Sequence, residues 1–595
     1  MNERGMFSLT ALVLGAMLTA GTPASAGPQA PREELLTTAS EIGVMGGRLV
    51  VSLLAEPKTL NPVLAVDQVS RDVIRCLHAD LIHINRLSQR TEPALAKSWK
   101  VSPDGRRYTL QLRSGLRFSD GHALDADDVV FTFQVYQDEK INSPQRDLLI
   151  IGGQPIRVEK VDATTVRFEL AQPYAAAERI FDSLAVLPRH LLEKPYQEGK
   201  FSQAWALNTE PGQLAGLGPF RIREYVPGQR LVLERNPHYW KQDRKENRLP
   251  YLNEIEFLIV PNQDAQVIRF QAGDTDVLDR ISAENYNVLE REQAQRGYRL
   301  YDLGPGLEFN FLFFNLDDLS AKQLPDIARK QSWFRDVRFR QAVSAAIDRQ
   351  GIVRLVYGGR GTPLWGPVTP GNRLWLNAAI PKPPRSLEHA RELLKSAGFS
   401  WKSDGTLTDS QGQTVEFTII SSSSNAERLK MATIIQDDLK QLGMNVQVVP
   451  LEFRAQLDRV LKTFNYEASV MRLASGDADP TPEMNVWESN GSTHLWNLGQ
   501  PHASTPWEAR LDQLMERQLT TLKYEARKKL YDEVQKLVAE NLPLIPLASG
   551  NILVGGKDAL GNFRPAILDP YTLWNVEELY LRPRGSGQKG GKSAP

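Results

Sequence analysis

The chain has 595 residues, 41% of them hydrophobic, which is enough to bury the cores of several domains of ordinary size. Its 71 basic and 71 acidic side chains balance, which excludes an overall field that would attract nucleic acid or an anionic membrane. Any ligand must therefore be recognised by a local site. The single cysteine, Cys76, cannot form an internal disulfide, and we expect it to be buried in a helix.

The first residues are typical of a secretory signal peptide. An apolar or small run at residues 6–19 is followed by Ala24-Ser25-Ala26, small residues at the positions that signal peptidase recognises. The alternative is a membrane anchor, which needs about 20 apolar residues and is therefore disfavoured. We expect cleavage near Ala26 and export to the periplasm. No later run is long and apolar enough to span a bilayer, so no direct membrane insertion is expected.

Strand and helix signals alternate along the rest of the chain, which favours an α/β or α+β class with mixed sheets. Apolar runs and alternation predict strands at residues 48–54, 108–112, 166–170, 254–260 and 444–451. N-cap residues, acids in the first turn and closing glycines predict helices after Asp125 and Ser386 and at residues 427–442 and 524–540.

The densest local signal lies at residues 92–133, where a hairpin turn at residues 103–105 precedes a turn at Asp120-Gly121 and a helix capped by Asp125. This block resembles the signature of the family 5 extracellular solute-binding proteins, the dipeptide- and oligopeptide-binding group. Further blocks resemble the same family in the same order, at residues 216–240, 264–277, 334–361, 386–399 and 530–547.

The resemblance implies an α/β fold of the periplasmic-binding-protein kind (type II-like), with two lobes joined by a hinge and an extra subdomain inserted in lobe one. The chain would cross to lobe two near residues 309–315 and return near Leu547. The expected parts are a signal peptide (1–26), a flexible leader (27–46), a lobe one core (47–85, 213–305 and 546–582), an inserted subdomain (86–212), lobe two (306–545) and a disordered tail (583–595).

The same resemblance implies a function. Such a protein closes around a di- or oligopeptide between its lobes and delivers it to the permease subunits of an ABC importer. An oligosaccharide-binding protein on the same fold is the alternative. We expect a monomer with no cofactor, no bound metal and no nucleic-acid partner. An enzyme is not expected, because the sequence contains no G-x-S-x-G or H-E-x-x-H motif and its eight histidines lack metal-ligand spacing.

One loop should identify the ligand. In the family, the acid that binds a peptide's α-amine lies in a W-x-x-D-x-x-D/E-P segment after a strand of lobe two. Here Leu473 stands at the tryptophan position and Gly476 at the aspartate position. Asp477 matches the amine-binding aspartate only if the alignment with the family's segment contains a one-residue gap. Asp479 fits the acid before Pro480. The alternative for both acids is a solvated turn.

Further ligand-binding candidates are aromatic or lie near the expected cleft. Trp487 and Trp496 stand in a polar stretch and could stack on sugar rings or line pockets for peptide side chains. The alternative is that they pack a long loop onto lobe two. Trp365 follows a predicted helix pair, and Glu56 ends the first strand in a turn that resembles the family's; a simple turn acid explains Glu56 equally well.

Overall fold

The computed structural model describes Met1 and residues 33–583, apart from residues 183, 318, 320–323 and 475–476. The expected signal peptide after Met1, the first six residues of the expected leader, Gly476 and all but the first residue of the expected tail lie outside the described residues.

The first part of the chain forms lobe one and its inserted subdomain. Its elements are β1 (Leu36–Thr37), β2 (Arg48–Leu53), α1 (Gln68–Leu77), β3 (Ile82–Ile84), β4 (Thr91–Pro93), β5 (Ala96–Val101), β6 (Arg107–Leu112), α2 (Ala126–Gln137), β7 (Ile150–Ile151), β8 (Gln154–Pro155), β9 (Arg157–Asp162), β10 (Thr165–Glu169), α3 (Ala177–Ile180), α4 (Arg189–Gln197), β11 (Phe220–Val226), β12 (Arg230–Arg235), β13 (Lys241–Gln242), β14 (Glu254–Ile259), α5 (Gln263–Ala272), β15 (Val277–Leu278), α6 (Ala283–Arg296) and β16 (Tyr298–Pro305).

The rest of the chain forms lobe two and then returns to lobe one. Its elements are β17 (Phe309–Phe314), α7 (Pro325–Arg335), α8 (Val337–Ala346), α9 (Arg349–Val356), β18 (Gly361–Pro363), α10 (Leu387–Ser396), β19 (Ser400–Trp401), β20 (Leu407–Thr408), β21 (Glu416–Ser422), α11 (Ala426–Lys440), β22 (Asn445–Leu451), α12 (Phe453–Asp458), β23 (Ala468–Leu473), α13 (Met484–Trp487), α14 (Pro506–Thr520), α15 (Tyr524–Asn541), β24 (Leu544–Lys557), β25 (Leu560–Gly561) and β26 (Tyr580–Leu581).

A mixed sheet runs through both lobes in the order β11-β12-β14-β2-β15-β24-β17-β23-β21-β22, and β16 and β18 also pair with β24. Strand β24 belongs to both lobes. Its residues 544–548 pair with β17 in lobe two, whereas its residues 553–557 pair with β16 in lobe one. Residues 306–308 make the other crossing, between β16 and β17. The fold is the expected two-lobed α/β fold with two connections between the lobes.

Each lobe has its own buried core. In lobe two all six residues of β17, FNFLFF, are buried, because side chains pack against both faces of this strand. The inserted subdomain contains an antiparallel sheet in the order β5-β6-β10-β9, on which α2 packs. The ring centroids of Phe133 on α2 and Phe168 on β10 lie 4.9 Å apart, and this core is continuous with that of lobe one.

The predicted local structure is largely confirmed. The five predicted strands agree to within one residue at either end with β2, β6, β10, β14 and β22. Asp125 caps α2 in a capping box, and the Ser386 hydroxyl accepts the His389 amide at 3.1 Å at the start of α10. Cys76 is buried in α1 as expected.

The described part of the expected flexible leader is different from the prediction. Strand β1 pairs in parallel with β13, and the Leu36 amide donates to the Trp240 carbonyl at 2.9 Å. Leu35 and Leu36 pack against the core of lobe one, and the Lys97 ammonium donates to the Glu34 carboxylate at 2.8 Å. Two leucines and one acid attach this segment to the rest of the protein. The segment is too short for its apolar residues to form the periodic pattern from which a strand is predicted.

Close backbone packing at Gly216 predicts a specific stability effect. A Cβ atom at Gly216 would overlap the Leu77 carbonyl oxygen, whereas a Cβ at Gly212 would meet nothing within 4 Å. We expect Gly216→Ala to lower the free energy of unfolding by about 1–3 kcal/mol, as overpacked sites do. Gly212→Ala should change it by less than about 0.5 kcal/mol. Urea denaturation of both variants checks this, and equal midpoints would contradict the packing argument.

Candidate functional site

A cavity of about 440 Å³ lies where lobe one, the inserted subdomain and lobe two meet. Helix α1 and the chain after it form one wall, and α3 of the inserted subdomain forms another. Lobe two contributes lining residues from the segment 477–482. Residues from the segment 569–577, near the C-terminal end of the chain, complete the lining. A ligand in this cavity would touch both lobes, which is the geometry that allows binding to favour a closed state.

Asp477 lies at the edge of this cavity, where the loop after β23 meets the inserted subdomain. Its two carboxylate oxygens accept hydrogen bonds from Nε and Nη2 of Arg179 on α3. The ion pair therefore joins lobe two to the inserted subdomain. Arg179 also donates from Nη1 to the Gln89 carbonyl at 3.1 Å, which holds the guanidinium in place.

Asp479, two residues further, is part of the protein interior. Only 4% of it is exposed, and its two oxygens accept from Nη1 and Nη2 of Arg527 on α15, both at 2.6 Å. Burial alone would raise the pKa of Asp479, but the ion pair with Arg527 outweighs burial and lowers the pKa. The Thr481 amide donates to the same carboxylate at 2.9 Å. Although Asp479 borders the cavity, its hydrogen bonds are with the protein.

The two predicted tryptophans lie in the core of lobe two. Trp487 is 1% exposed and donates from Nε1 to Glu483 at 2.8 Å, and Trp496 is fully buried and donates to Glu508 at 3.1 Å. His494 lies beside Trp496, with ring centroids 3.8 Å apart. These side chains anchor the stretch between α13 and α14, and they are absent from the described residues that line the cavity between the lobes.

The other three candidates also lie away from this cavity's described lining. Leu473 ends β23 opposite Phe309 and packs against the lobe two core. Trp365 donates to the Pro383 carbonyl at 3.1 Å and lines a separate cavity of about 920 Å³ on lobe two. The Glu56 carboxylate accepts the Tyr225 hydroxyl at 2.7 Å and the Gly228 amide at 2.6 Å, which fastens the β11–β12 turn.

The sequence reasoning missed the charged groups after α1 that line the cavity. His83 lies between two acids, with its Nδ1 at 3.3 Å from Asp182 and 3.7 Å from Asp80, and Arg86 donates to Asp182 at 3.0 Å. Burial raises the pKa of Asp80 to about 6. The stretch HADLIHINR carries these residues in the sequence, but their partner Asp182 is about 100 positions away, so no local spacing could have revealed the cluster.

Asp80, His83 and Asp182 also have the spacing of a metal site, because their ligand atoms lie within 4.8 Å of one another. The Arg86 guanidinium already supplies a positive charge to Asp182, and the His83 Nδ1 faces both acids. These contacts describe an ion-pair network better than a set of free metal ligands.

The cavity and the two crossings define a two-lobed binding protein. The sequence profile described as bacterial extracellular solute-binding proteins, family 5 (middle) matches residues 90–494, and the chain belongs to this family. None of the described helices is both long and apolar enough to cross a membrane.

Individual proteins show the same relationship. A "Probable ABC transporter-binding protein" of Deinococcus radiodurans is 28% identical over 566 residues, covering 90% of this chain and 93% of that protein. The oligopeptide-binding protein AppA of Bacillus subtilis is 25% identical over 546 residues, covering 90% and 92%. The crystal structure of the substrate-binding protein CtaP of Listeria monocytogenes superposes with a TM-score of 0.73 at 23% identity, covering 91% of this chain and all of that one.

The buried pair of Asp479 and Arg527 predicts a pH-dependent loss of stability. Removing one partner of such a pair leaves an uncompensated charge, so Asp479→Asn should lower the free energy of unfolding by about 3–5 kcal/mol at pH 7. The folded-state pKa of Asp479 is lowered, so its stabilisation is present above the unfolded pKa of about 3.9 and is lost as the pH falls through the folded value. The difference between variant and wild type should therefore shrink in acid.

Denaturation at several pH values measures this difference. The matched control is Asp558→Asn, since Asp558 pairs with Arg299 on the surface at 3.2 Å, where such pairs contribute roughly 0–1 kcal/mol. Equal losses in the two variants would contradict the assigned role of Asp479.

Proposed function

We propose that this protein is the periplasmic substrate-binding component of an ABC importer, and that it binds a di- or oligopeptide in the cavity between its lobes. The observation that carries the proposal is the Asp477 carboxylate, which lies at the cavity edge just after a strand of lobe two. A carboxylate in this position is a suitable partner for a peptide's α-ammonium group. The sequence relative AppA, an oligopeptide-binding protein, supports the same ligand class.

Ligand binding would be coupled to closure through the two crossings. A peptide that contacts Asp477 from lobe two and α3 from the inserted subdomain stabilises the closed arrangement, because it binds that arrangement better than the open one. Residues 306–308 and the middle of β24 are the segments that would bend. The closed form would then be recognised by the permease. Neither step requires a reaction, and we propose no catalytic role.

Arg179 occupies the position that the ligand's ammonium group would take. The guanidinium and an α-amine are both cationic donors, so they compete for the same two carboxylate oxygens of Asp477. In this proposal the ammonium group of an incoming peptide replaces part of the hydrogen bonding between Arg179 and Asp477. Arg179 keeps its bond to the Gln89 carbonyl. Asp477 then never lacks a cationic partner.

The oligosaccharide alternative has less support. It depended on the ring faces of Trp487 and Trp496, and both rings are buried in the core of lobe two. A thermal-shift screen of dipeptides, tripeptides, longer peptides and β-linked oligosaccharides separates the alternatives, because at equal concentration a tighter ligand raises the unfolding midpoint further. Stabilisation by sugars alone would replace the peptide proposal, and hydrolysis of any compound would contradict the non-enzymatic role.

The amine-binding role of Asp477 predicts that Asp477→Asn weakens peptide binding by about 10–100-fold, since a hydrogen bond to a charged group contributes about 1.5–3 kcal/mol. Isothermal titration with trialanine and N-acetyl-trialanine measures this. The acetylated peptide has no ammonium group, so its affinity should change much less. Asp558→Asn, which changes a carboxylate outside the described cavity lining, is the control. Equal losses for both peptides would contradict the proposed contact.

Export is proposed from the N-terminal sequence. The chain produced with its N-terminus intact should be recovered from the periplasm with Gly27 as its first residue, because cleavage is expected after Ala26. N-terminal sequencing of the recovered protein checks this. A protein that keeps its first 26 residues would contradict cleavage.

A further inference from the structure

The turn between β3 and β4, where the inserted subdomain begins, bonds directly to lobe two. Gln89 in this turn is 1% exposed. Its side-chain Nε2 donates to the Gly371 carbonyl at 2.8 Å, and its Oε1 accepts the Arg373 amide at 3.1 Å. Both partners are backbone groups of lobe two. The Gln89 side chain therefore uses its donor and its acceptor across the boundary between the inserted subdomain and lobe two.

The backbone of Gln89 holds the arginine that pairs with Asp477. The Gln89 carbonyl accepts from Nη1 of Arg179 at 3.1 Å, and Arg179 forms its ion pair with Asp477 of lobe two. Gln89 has a φ of +62°, in the left-handed region. Its amide donates to the Asn85 carbonyl at 2.8 Å, which closes the turn and keeps this conformation. Gln89 thus positions Arg179 through its backbone and lobe two through its side chain.

The partners of Gln89 belong to residues 369–373, which are named the bridging segment below. The Thr369 hydroxyl donates to the Gly306 carbonyl at 2.6 Å, in the crossing between β16 and β17. The Asn372 side-chain amide donates to the Ala478 carbonyl at 2.7 Å, in the loop after β23. One short segment of lobe two is therefore bonded to the crossing, to the loop at the cavity edge and to the inserted subdomain.

Further contacts cross the same boundary. The Arg90 guanidinium lies 5.6 Å from the centroid of the Tyr524 ring on α15. The Ala175 amide donates to the Leu519 carbonyl at 2.8 Å, and the Leu519 side chain packs against the core of lobe one. These contacts exist only while the inserted subdomain lies against lobe two. Each of them therefore stabilises this arrangement relative to one in which the two parts are separated.

We propose that Gln89 is a positioning residue that holds the inserted subdomain against lobe two, and that it thereby sets how tightly a ligand is retained between the lobes. Gln89 lies outside the described lining of the cavity, so it acts through Arg179 and the bridging segment. Separation of the two parts would exchange its two backbone partners for water. The apparent affinity of a ligand falls with the fraction of protein in the binding-competent arrangement. The effect on ligand binding rests on the proposed function, whereas the effect on the separation of the two parts does not.

Gln89→Asn tests this role with little change to the turn. Asparagine tolerates the left-handed backbone and keeps the carbonyl that accepts from Arg179. Its side chain is one methylene shorter, so its amide should lose both bonds to lobe two. Isothermal titration should show trialanine and N-acetyl-trialanine weakened by the same factor, at least about fivefold, because two hydrogen bonds are lost and neither involves the ligand. Unchanged affinity, or a loss confined to trialanine, would overturn the proposal.

Arg90→Gln is a second variant on the same boundary. Arg90 is exposed, so its replacement leaves the core intact and removes only the contact with the Tyr524 ring. Both peptides should bind about two- to fivefold more weakly, the range for an exposed cation–π contact. Stronger binding in this variant would contradict a stabilising role for the boundary.

Gln456→Asn is the matched control. Gln456 is also 1% exposed, and its Nε2 donates to the Ser469 hydroxyl at 3.0 Å and to the Val470 carbonyl at 3.2 Å, both within lobe two. This variant should lower the unfolding midpoint and leave the affinity for both peptides unchanged. If Gln89→Asn lowered the midpoint as much as Gln456→Asn and left the affinities unchanged, the Gln89 side chain would serve the fold alone and the proposal would be wrong.

Distances between two spin labels report on the separation without relying on peptide binding. Labelled cysteines would replace Asp147 of the inserted subdomain and Lys462 of lobe two, whose side chains are 97% and 74% exposed, in a Cys76→Ala background. Pulsed electron paramagnetic resonance would be recorded with and without trialanine. Gln89→Asn should shift the distance distribution away from that of the wild type, and Gln456→Asn should not. Identical distributions for Gln89→Asn and the wild type in both conditions would overturn the proposal.

The positioning role and the peptide proposal fail in different ways. If neither peptide binds the wild type, the peptide proposal is contradicted, and the ligand-free distance distributions decide the role of Gln89. If the peptides bind and Gln89→Asn changes neither the affinities nor the distributions, the role of Gln89 is wrong and the peptide proposal stands.

Discussion

The backbone hydrogen bonding of β24 is the constraint on which the arrangement of this molecule depends. One strand of 14 residues pairs with β17 at its start and with β16 near its end, so two separately cored lobes share a single continuous sheet. Each lobe keeps its own apolar core on its side of the crossing. A cavity between the lobes follows, because the cores cannot merge across two narrow connections. The side chains that face this cavity are therefore the ones that relative movement of the lobes would bring together or separate.

Charge pairing is the second constraint, and it acts within the cavity. Charged side chains line it from every wall, and burial makes an isolated charge expensive. The protein has met this requirement with its own counter-ions, among them Arg179 for Asp477 and Lys241 for Glu577. The pair of Asp477 and Arg179 joins lobe two to the inserted subdomain, so a ligand can enter it by exchange. This pair leads to the proposed peptide amine contact.

Local signals explain which parts of the structure could be predicted from the sequence. A cap such as Asp125 bonds to amides within three residues, and an alternating strand shows its buried face in its own residues, so both are visible in a short window. The pairs that build the site are not local: Arg75 and Asp569 are separated by 494 residues, and Arg86 and Asp182 by 96. Only the resemblance to a family placed the loop of Asp477 at a cleft, and it could not show which atoms face the cavity.

The tryptophans show the limit of composition as a guide to function. Trp487 and Trp496 stand among polar residues, which suggested exposed rings, but the polar neighbours are what satisfy the buried indole nitrogens. Glu508 accepts from Trp496 and also from Thr505 at 2.7 Å, and burial with such bonds lets polar and aromatic residues share one core.

The location of the cationic partner separates Asp477 from Asp479. Asp479 has its cation on α15 inside the same lobe, so it stabilises the fold. Asp477 has its cation on the inserted subdomain, across the cavity, so its bonding must change whenever the lobes separate or a competing cation enters. Of the two acids, Asp477 is therefore the one that we propose as the ligand's partner.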